Sequence, residues 1–145
     1  MLDPSLIRMA FYEGSDGPRL MLFGPCEAAF VSLQKCFRQL AQCGEGQSID
    51  LERLPCIHGV DGLNVRLTSC GPMLDSLAAD QGIRRKSGTS FEWKRTKAGW
   101  QQLGDLIEGL LNSDTPCHQY LSMYPNEDAI VVVSKGEYTD DVLEL

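Results

Sequence analysis

Each of the two histidines in this 145-residue sequence lies close to a cysteine, an arrangement that a zinc site or a cysteine nucleophile could use. His58 follows Cys56 by two positions, and His118 directly follows Cys117. Two cysteines and two histidines could complete a zinc tetrahedron. However, adjacent residues on a strand point to opposite faces, so Cys117 and His118 would not bind one ion together. We therefore expect no metal site, although the sequence does not say whether the two pairs meet in space.

Nucleophilic catalysis would pair Cys56 or Cys117 with a histidine and an acid, but no local sequence signature supports that pairing. The carboxylates fall in a predicted turn or in the C-terminal tail, where acidic side chains are usually solvated. The glycines form neither a phosphate-binding loop nor a dinucleotide fingerprint. We predict no catalytic residue and no cofactor.

The composition is that of an ordinary globular protein, with 43% apolar and 23% charged residues. No apolar run reaches the roughly 18 residues that a membrane span needs. The first residues lack the cationic start and apolar stretch of a secretory signal, so we expect a cytoplasmic protein. Its six cysteines are then expected to be reduced packing residues rather than disulfides.

The formal net charge of −7 is unevenly distributed and argues against a general nucleic-acid binder. Residues 84–97 hold six Lys/Arg and one acidic residue, whereas residues 98–145 hold nine acidic residues and one lysine. The basic segment also contains Phe91 and Trp93, and bases could stack on such aromatic rings. Strand alternation instead predicts that these rings face the core while Glu92 and Lys94 face water. We therefore expect a protein ligand, or an intramolecular partner for the acidic third, rather than nucleic acid.

Two amphipathic helices stand out. One follows Gly24-Pro25, where the proline would be the first helical residue, and ends near Gly44. The other is capped by Thr96. Apolar residues recur at helical spacing and predict one buried stripe on each helix: Phe30, Leu33, Phe37, Leu40, Trp100, Leu103, Ile107 and Leu110.

Strand-like segments flank both helices. The predicted strands cover residues 6–12, 19–23, 48–54, 63–69, 118–124 and 129–135, with a hairpin about Ser87-Gly88 between residues 83 and 95. Val131 to Val133 are β-branched on both faces, which is typical of a strand that is covered on both sides. Residues 73–80 could form a short helix or a linker.

A shift of 70 residues superimposes the apolar pattern of one half on the other, placing Phe30 on Trp100 and Phe37 on Ile107. The sequence thus predicts a single α+β domain over residues 1–145, with two helices packed on antiparallel β-sheet. A ββαββ pseudo-repeat would divide it into quasi-equivalent halves, residues 5–70 and 83–138.

Function is expected to lie in non-catalytic protein binding. A compact acidic chain can act as an inhibitor or immunity-type protein that neutralises a basic partner. The expected contact residues surround the final hairpin and tail: Glu127, Asp128, Glu137, Asp140 and Asp141.

The alternative is a small enzyme or ligand-binding domain with a pocket between the two halves. A buried polar cluster around His118, Tyr120 and Glu137 in a concave site would favour it. A homodimer formed through edge strands is also open.

Overall fold

In the computed structural model, residues 4–14, 17–44, 46–70, 82–121 and 127–138 are described. Within these ranges, two helices pack against two β-sheets. The helices are α1 (Glu27–Gln42) and α2 (Lys97–Leu111). The strands are β1 (Ile7–Gly14), β2 (Gly17–Gly24), β3 (Ser48–Asp50), β4 (Ile57–Gly59), β5 (Asn64–Ser69), β6 (Gly82–Ser87), β7 (Ser90–Arg95), β8 (Cys117–Tyr120) and β9 (Ile130–Lys135).

The sheets confirm the predicted α+β class but are mixed rather than wholly antiparallel. The five-stranded sheet has the order β4-β1-β2-β9-β8, and the four-stranded sheet has the order β3-β5-β7-β6. Parallel pairs join β1 to β4, β2 to β9 and β5 to β7. The expectation of purely antiparallel sheet was wrong because β9 and β5 each have two neighbours. Each pairs antiparallel with a strand of its own half, β8 or β3, and parallel with a hairpin strand of the other half. β4 likewise pairs parallel with β1 after a long connection. Strands that are far apart in the chain can pair in either direction.

Strands are exchanged between the two halves. The β1–β2 hairpin of the first half pairs with β9 and β8 of the second, and the β6–β7 hairpin pairs with β5 and β3 of the first. The orders β1-β2-β9-β8 and β6-β7-β5-β3 correspond strand for strand. An internal duplication with exchanged strands would give this correspondence, and the duplication itself stays a prediction.

The two helices contact each other at positions that are 70 residues apart in the chain. The Gln34 side-chain amide donates to the Gly104 carbonyl oxygen at 3.1 Å, and Arg38 lies 3.7 Å from a Glu108 carboxylate oxygen. A Cβ atom on residue 104 would lie 3.0 Å from the Arg38 side chain, so glycine permits this close approach. Contacts between positions separated by this 70-residue shift agree with the predicted pseudo-repeat, which stays a prediction.

The predicted helix stripes are confirmed, because all eight residues are buried. They join the inner faces of both sheets in one apolar cluster. Trp100 lies at its centre, stacked on Phe37 with ring centroids 5.8 Å apart and edge-on to Trp93 at 5.5 Å. Its indole N–H donates to the Thr68 carbonyl oxygen at 3.1 Å. Trp100, on α2, therefore contacts α1 through Phe37 and the two central strands of the four-stranded sheet through Trp93 on β7 and Thr68 on β5.

Several predicted boundaries were wrong. The strand expected over residues 48–54 ends at Asp50, since Leu51–Arg53 forms a 3₁₀ turn. This turn buries Leu51 and lets the Glu52 carboxylate accept a hydrogen bond from the Val65 backbone N–H at 2.9 Å. The connection that follows contains β4, which was not predicted.

The predicted start of the first helix was also wrong. Pro25 precedes α1, because Cys26 keeps an extended backbone (φ −87°, ψ 111°). By contrast, the Thr96 cap is confirmed, since its hydroxyl oxygen accepts a hydrogen bond from the Gly99 N–H at 3.1 Å. The strand expected over residues 118–124 is described from Cys117 to Tyr120. The alternatives for residues 73–80 lie outside the described residues.

All six cysteines are free thiols, and their reactivity tests the core. Burial raises the pKa of the Cys36 thiol to about 12, and the neighbouring Cys56 and Cys43 thiols add to the shift. Because the thiolate is the nucleophile, Cys36 should resist alkylation by iodoacetamide at pH 8, whereas the less buried Cys43 should react. Peptide mass spectrometry after a labelling time course measures both. Equal rates for the two thiols in the folded protein would contradict this packing.

Candidate functional site

Two of the expected contact residues, Glu127 and Asp128, cover the outer edge of β6. A Glu127 carboxylate oxygen accepts a hydrogen bond from the Ile83 N–H at 3.2 Å. The Asp128 carboxylate accepts one from the Arg85 N–H at 2.8 Å, and the Asp128 N–H donates to the Ile83 carbonyl oxygen at 3.1 Å. We call Glu127 and Asp128 the edge cap, because together they bind three backbone groups that a neighbouring strand would use.

Gly82 makes the edge cap possible. Its φ of +71° is in the left-handed region, and a Cβ atom there would collide with the Glu127 side chain. The basic segment next to it is also engaged within the chain. Arg85 lies 3.1 Å from Glu13 and places its guanidinium 4.8 Å from the centre of the Phe11 ring. These contacts favour an intramolecular role for this part of the charge pattern.

A row of charged side chains crosses the strands on the outer face of the four-stranded sheet. The strand register aligns Asp50, Arg66, Glu92 and Arg84, so the charges alternate in sign. Arg66 donates to Asp50 at 2.9 Å, and Glu92 lies 3.4 Å from Lys86 and 3.5 Å from Lys94. Phe91 and Trp93 are buried on the opposite face, as predicted. Opposite charges directly across neighbouring strands favour this pairing of the strands.

Glu137 lies away from the edge cap, since β9 separates them. The six residues of this strand span about 17 Å, so Glu137 does not contact the edge cap. Asp140 and Asp141 lie outside the described residues. Glu137 accepts a hydrogen bond from the Ser134 hydroxyl at 2.6 Å and contacts the His118 Nδ1 at 3.0 Å. The Ser134 hydrogen bond, with a smaller contribution from His118, lowers the pKa of the Glu137 carboxyl, so this group is ionised at neutral pH.

This serine, glutamate and histidine do not form a hydrolytic triad. In such a triad the imidazole accepts the serine proton and the acid orients the imidazole. Here the Glu137 carboxylate lies between Ser134 and His118, and the carboxylate itself accepts the hydrogen bond from the Ser134 hydroxyl. Ser134 is also fully buried. The geometry thus orients His118 but does not activate a nucleophile.

The two cysteine–histidine pairs lie at opposite edges of the five-stranded sheet. Cys56 directly precedes β4 and His58 lies on it, whereas Cys117 and His118 are on β8. Four strand spacings separate these edges, or about 19 Å, which is far beyond any shared coordination sphere. The Cys117 thiol is directed to the Leu110 carbonyl oxygen at 3.7 Å. Within the described ranges, no group of three or more His, Cys, Asp or Glu side chains could hold a metal ion.

Two exposed tyrosines lie near the His118–Glu137 pair, since Tyr120 contacts His118 and Tyr138 directly follows Glu137 in the chain. Tyr120 is 45% exposed and Tyr138 is 38% exposed, and they are the large hydrophobic residues that the described part of the chain leaves in solvent. The Tyr120 ring meets the His118 ring edge-on at 5.6 Å, and the Tyr138 ring packs against Phe23 at 6.2 Å. We call His118, Tyr120, Glu137 and Tyr138 the tyrosine–histidine patch.

The polar cluster considered for a concave site does form, but it is exposed rather than buried. The His118 side chain is 47% exposed. The tyrosines were not among the predicted contact residues. The alternation of β8 could have identified Tyr120, because it places this residue on the face of His118. Tyr138 follows β9 in an irregular segment, and its exposure had no signal in the sequence.

A separate groove of about 770 Å³ lies between the two halves of the chain. Its lining includes Asp50, His58 and Arg66 from the first half and Lys86, Ser90 and Glu92 from the second. The groove therefore opens on the charged face of the four-stranded sheet and does not include the tyrosine–histidine patch.

No protein-family model and no curated protein matches this sequence. Among the described residues, neither helix combines the length and apolar character that crossing a membrane would require.

Proposed function

We propose that this protein is a non-catalytic binding module that recognises a basic protein through the tyrosine–histidine patch. The observation that carries the proposal is the grouping of two exposed tyrosines with an ionised carboxylate. Tyrosine is enriched at protein interfaces and among the residues that dominate binding free energy. Neutralisation of a basic toxin by an inhibitor or immunity-type protein, in the cytoplasm, is the biological form that we propose for it.

The charge of the chain supports a basic partner. The formal net charge is −7, and residues 136–145 hold four acidic residues and no lysine or arginine. Of these four, Asp140 and Asp141 follow the patch closely in sequence. A local excess of carboxylates beside exposed tyrosines would attract a cationic surface and increase the association rate.

The partner can be identified and the patch tested in one experiment. The tagged protein and its Tyr120→Ala/Tyr138→Ala variant are used in parallel to capture proteins from an extract of the native host. We expect a basic protein that the variant loses, with at least a tenfold weaker affinity, because interface tyrosines often contribute 1–2 kcal/mol or more. Both tyrosines are exposed, so the variant should melt as the parent does. Capture of the same proteins by both baits would contradict the proposal.

Electrostatic steering gives a second measurement on that complex. Asp140→Asn/Asp141→Asn should slow association at low ionic strength, and the difference should shrink as the Debye length falls to about 8 Å at physiological salt. The matched control is Asp61→Asn/Asp105→Asn, which removes two exposed charges elsewhere. Asparagine also tolerates the left-handed backbone of Asp61 (φ 56°). Equal association rates for both double variants would show that the tail carboxylates only maintain solubility.

A second candidate function is small-ligand binding in the groove between the halves. It is favoured by the volume of the groove and by charged side chains from both halves in its lining. Titration with inorganic phosphate or citrate, followed by amide NMR shifts, tests it directly. Saturable shifts confined to Arg66, Ser90 and their neighbours would support this function. Their absence at millimolar concentrations, together with a tyrosine-dependent protein partner, would favour the first proposal.

A further inference from the structure

Among the described residues, strand β8 lies at an outer edge of the five-stranded sheet and pairs with β9 alone. The Leu121 N–H donates to the Val131 carbonyl oxygen at 2.8 Å. Residues of an antiparallel pair alternate between those that bond to the neighbouring strand and those that point away. The register therefore directs the N–H and C=O groups of His118 and Tyr120 away from β9.

The edge strands β6 and β8 differ in how far their outward backbone groups are protected. Strand β6 carries Arg84, Arg85 and Lys86, and its backbone groups are covered by the edge cap. The sequence of β8, Cys-His-Gln-Tyr, contains no lysine, arginine or proline, which are the residues that usually protect an edge. Among the described residues, the hydrogen bond that reaches its outer side comes from the Gln119 side chain to the Tyr120 carbonyl oxygen at 3.3 Å.

We propose that β8 pairs antiparallel with β8 of a second copy of this chain, with the twofold axis at Gln119. This register places His118 opposite Tyr120 of the second copy, and Tyr120 opposite its His118. Both outward-pointing residues of each strand then exchange N–H···O=C bonds, so the outward groups of both copies are satisfied. The next outward position is Pro116, which has no N–H and ends the ladder there.

The side chains agree with this pairing. On the exposed face, each imidazole meets a phenol ring across the new strand pair, and aromatic cross-strand pairs are favourable. No like charges lie directly opposite each other on the two strands. The dimer would place two tyrosine–histidine patches side by side on one continuous sheet. Four residues per strand make a small interface, so the dimer should be weak and reversible.

Sedimentation velocity on the isolated protein tests the pairing without the basic partner. From micromolar to near-millimolar concentration, the mass should rise from 16.0 kDa towards twice that value. His118→Lys/Tyr120→Lys places positive charges on both strands and should keep the protein monomeric. Gln101→Lys/Gln102→Lys adds the same charge on the exposed face of α2 and should dimerise as the parent does. A parent that stays monomeric, or a dimer that survives the β8 lysines, overturns the proposal.

Covalent trapping keeps the proposal testable if the lysine variant does not fold. The register places Gln119 of the two copies at a non-hydrogen-bonded pair, where Cα atoms lie about 4.5 Å apart. That separation suits a disulfide. Gln119→Cys should form a covalent dimer under mild oxidation, whereas the parent and Gln101→Cys should not. Failure of Gln119→Cys to crosslink at concentrations where the parent sediments as a dimer would exclude this register.

Discussion

Replacing Trp100 by alanine is expected to lower the free energy of unfolding by about 3–5 kcal/mol. The indole is fully buried, contacts the Phe37 and Trp93 rings, and donates a hydrogen bond to the Thr68 carbonyl oxygen. Alanine would leave a cavity where the helices meet the four-stranded sheet, and it would remove the hydrogen bond from the indole to the Thr68 carbonyl oxygen. Denaturant unfolding measured by far-UV circular dichroism gives the change. A loss of this size approaches the whole stability of many domains of this length.

Two controls separate the contributions of Trp100. Trp100→Phe keeps a ring against Phe37 but removes the hydrogen bond, so it should retain much of the stability that alanine loses. Gln101→Ala changes the neighbouring exposed residue and should have little effect. If Trp100→Ala unfolds at the same denaturant concentration as the parent, the packing described for α2 is wrong.

Removal of the edge cap is the second large effect. In Glu127→Ala/Asp128→Ala, the Ile83 and Arg85 N–H groups lose their carboxylate acceptors. We expect a loss of about 2 kcal/mol, because the Ile83 interaction is partly buried whereas water can partly replace the exposed interaction at Arg85. At high ionic strength, where the charges of Arg84, Arg85 and Lys86 no longer oppose edge pairing, the uncovered edge of β6 should also promote self-association. Thermal melting and light scattering, each at several protein concentrations, measure the two consequences.

The matched variant Glu127→Gln/Asp128→Asn keeps an acceptor oxygen at each position and removes only the charge. It should recover most of the lost stability. Glu137→Ala removes a carboxylate at the other end of β9 and should not cause association through β6. An alanine double variant that melts and scatters light as the parent does would mean that the edge cap is not needed to protect β6.

The parts of the fold that follow from local patterns could be predicted from the sequence. The helix stripes and the alternation of Phe91 and Trp93 depend on periodicities of the backbone itself. Strand pairing was harder to predict from the sequence, because the pairing of Leu20 with Val131 depends on packing between distant segments. The turn at Leu51 was missed because its alternating pattern also fits a strand, and only the contact of Glu52 with Val65 distinguishes the two.

The candidate site shows the same division. Acidic density in the sequence led to the prediction of Glu127, Asp128 and Glu137 as contact residues, and this stays a prediction. It could not show that the first two bind the chain's own backbone. That role depends on β6 lying beside residues that are more than 40 positions away in the chain. The contact of His118 with Glu137 was easier to predict, since a β8–β9 hairpin brings these residues together.

The exchange of strands between the halves determines when the chain can fold during translation. When the first 70 residues have left the ribosome, the β1–β2 hairpin still lacks its neighbour β9, and Leu20 must await Val131. One side of β2 therefore stays unpaired until nearly the whole chain has been translated. We expect residues 5–70 alone to aggregate or to bind a chaperone, and ribosome-bound intermediates to resist protease only after β9 has emerged. We therefore expect that neither half folds independently and that the chain reaches the native state as a whole.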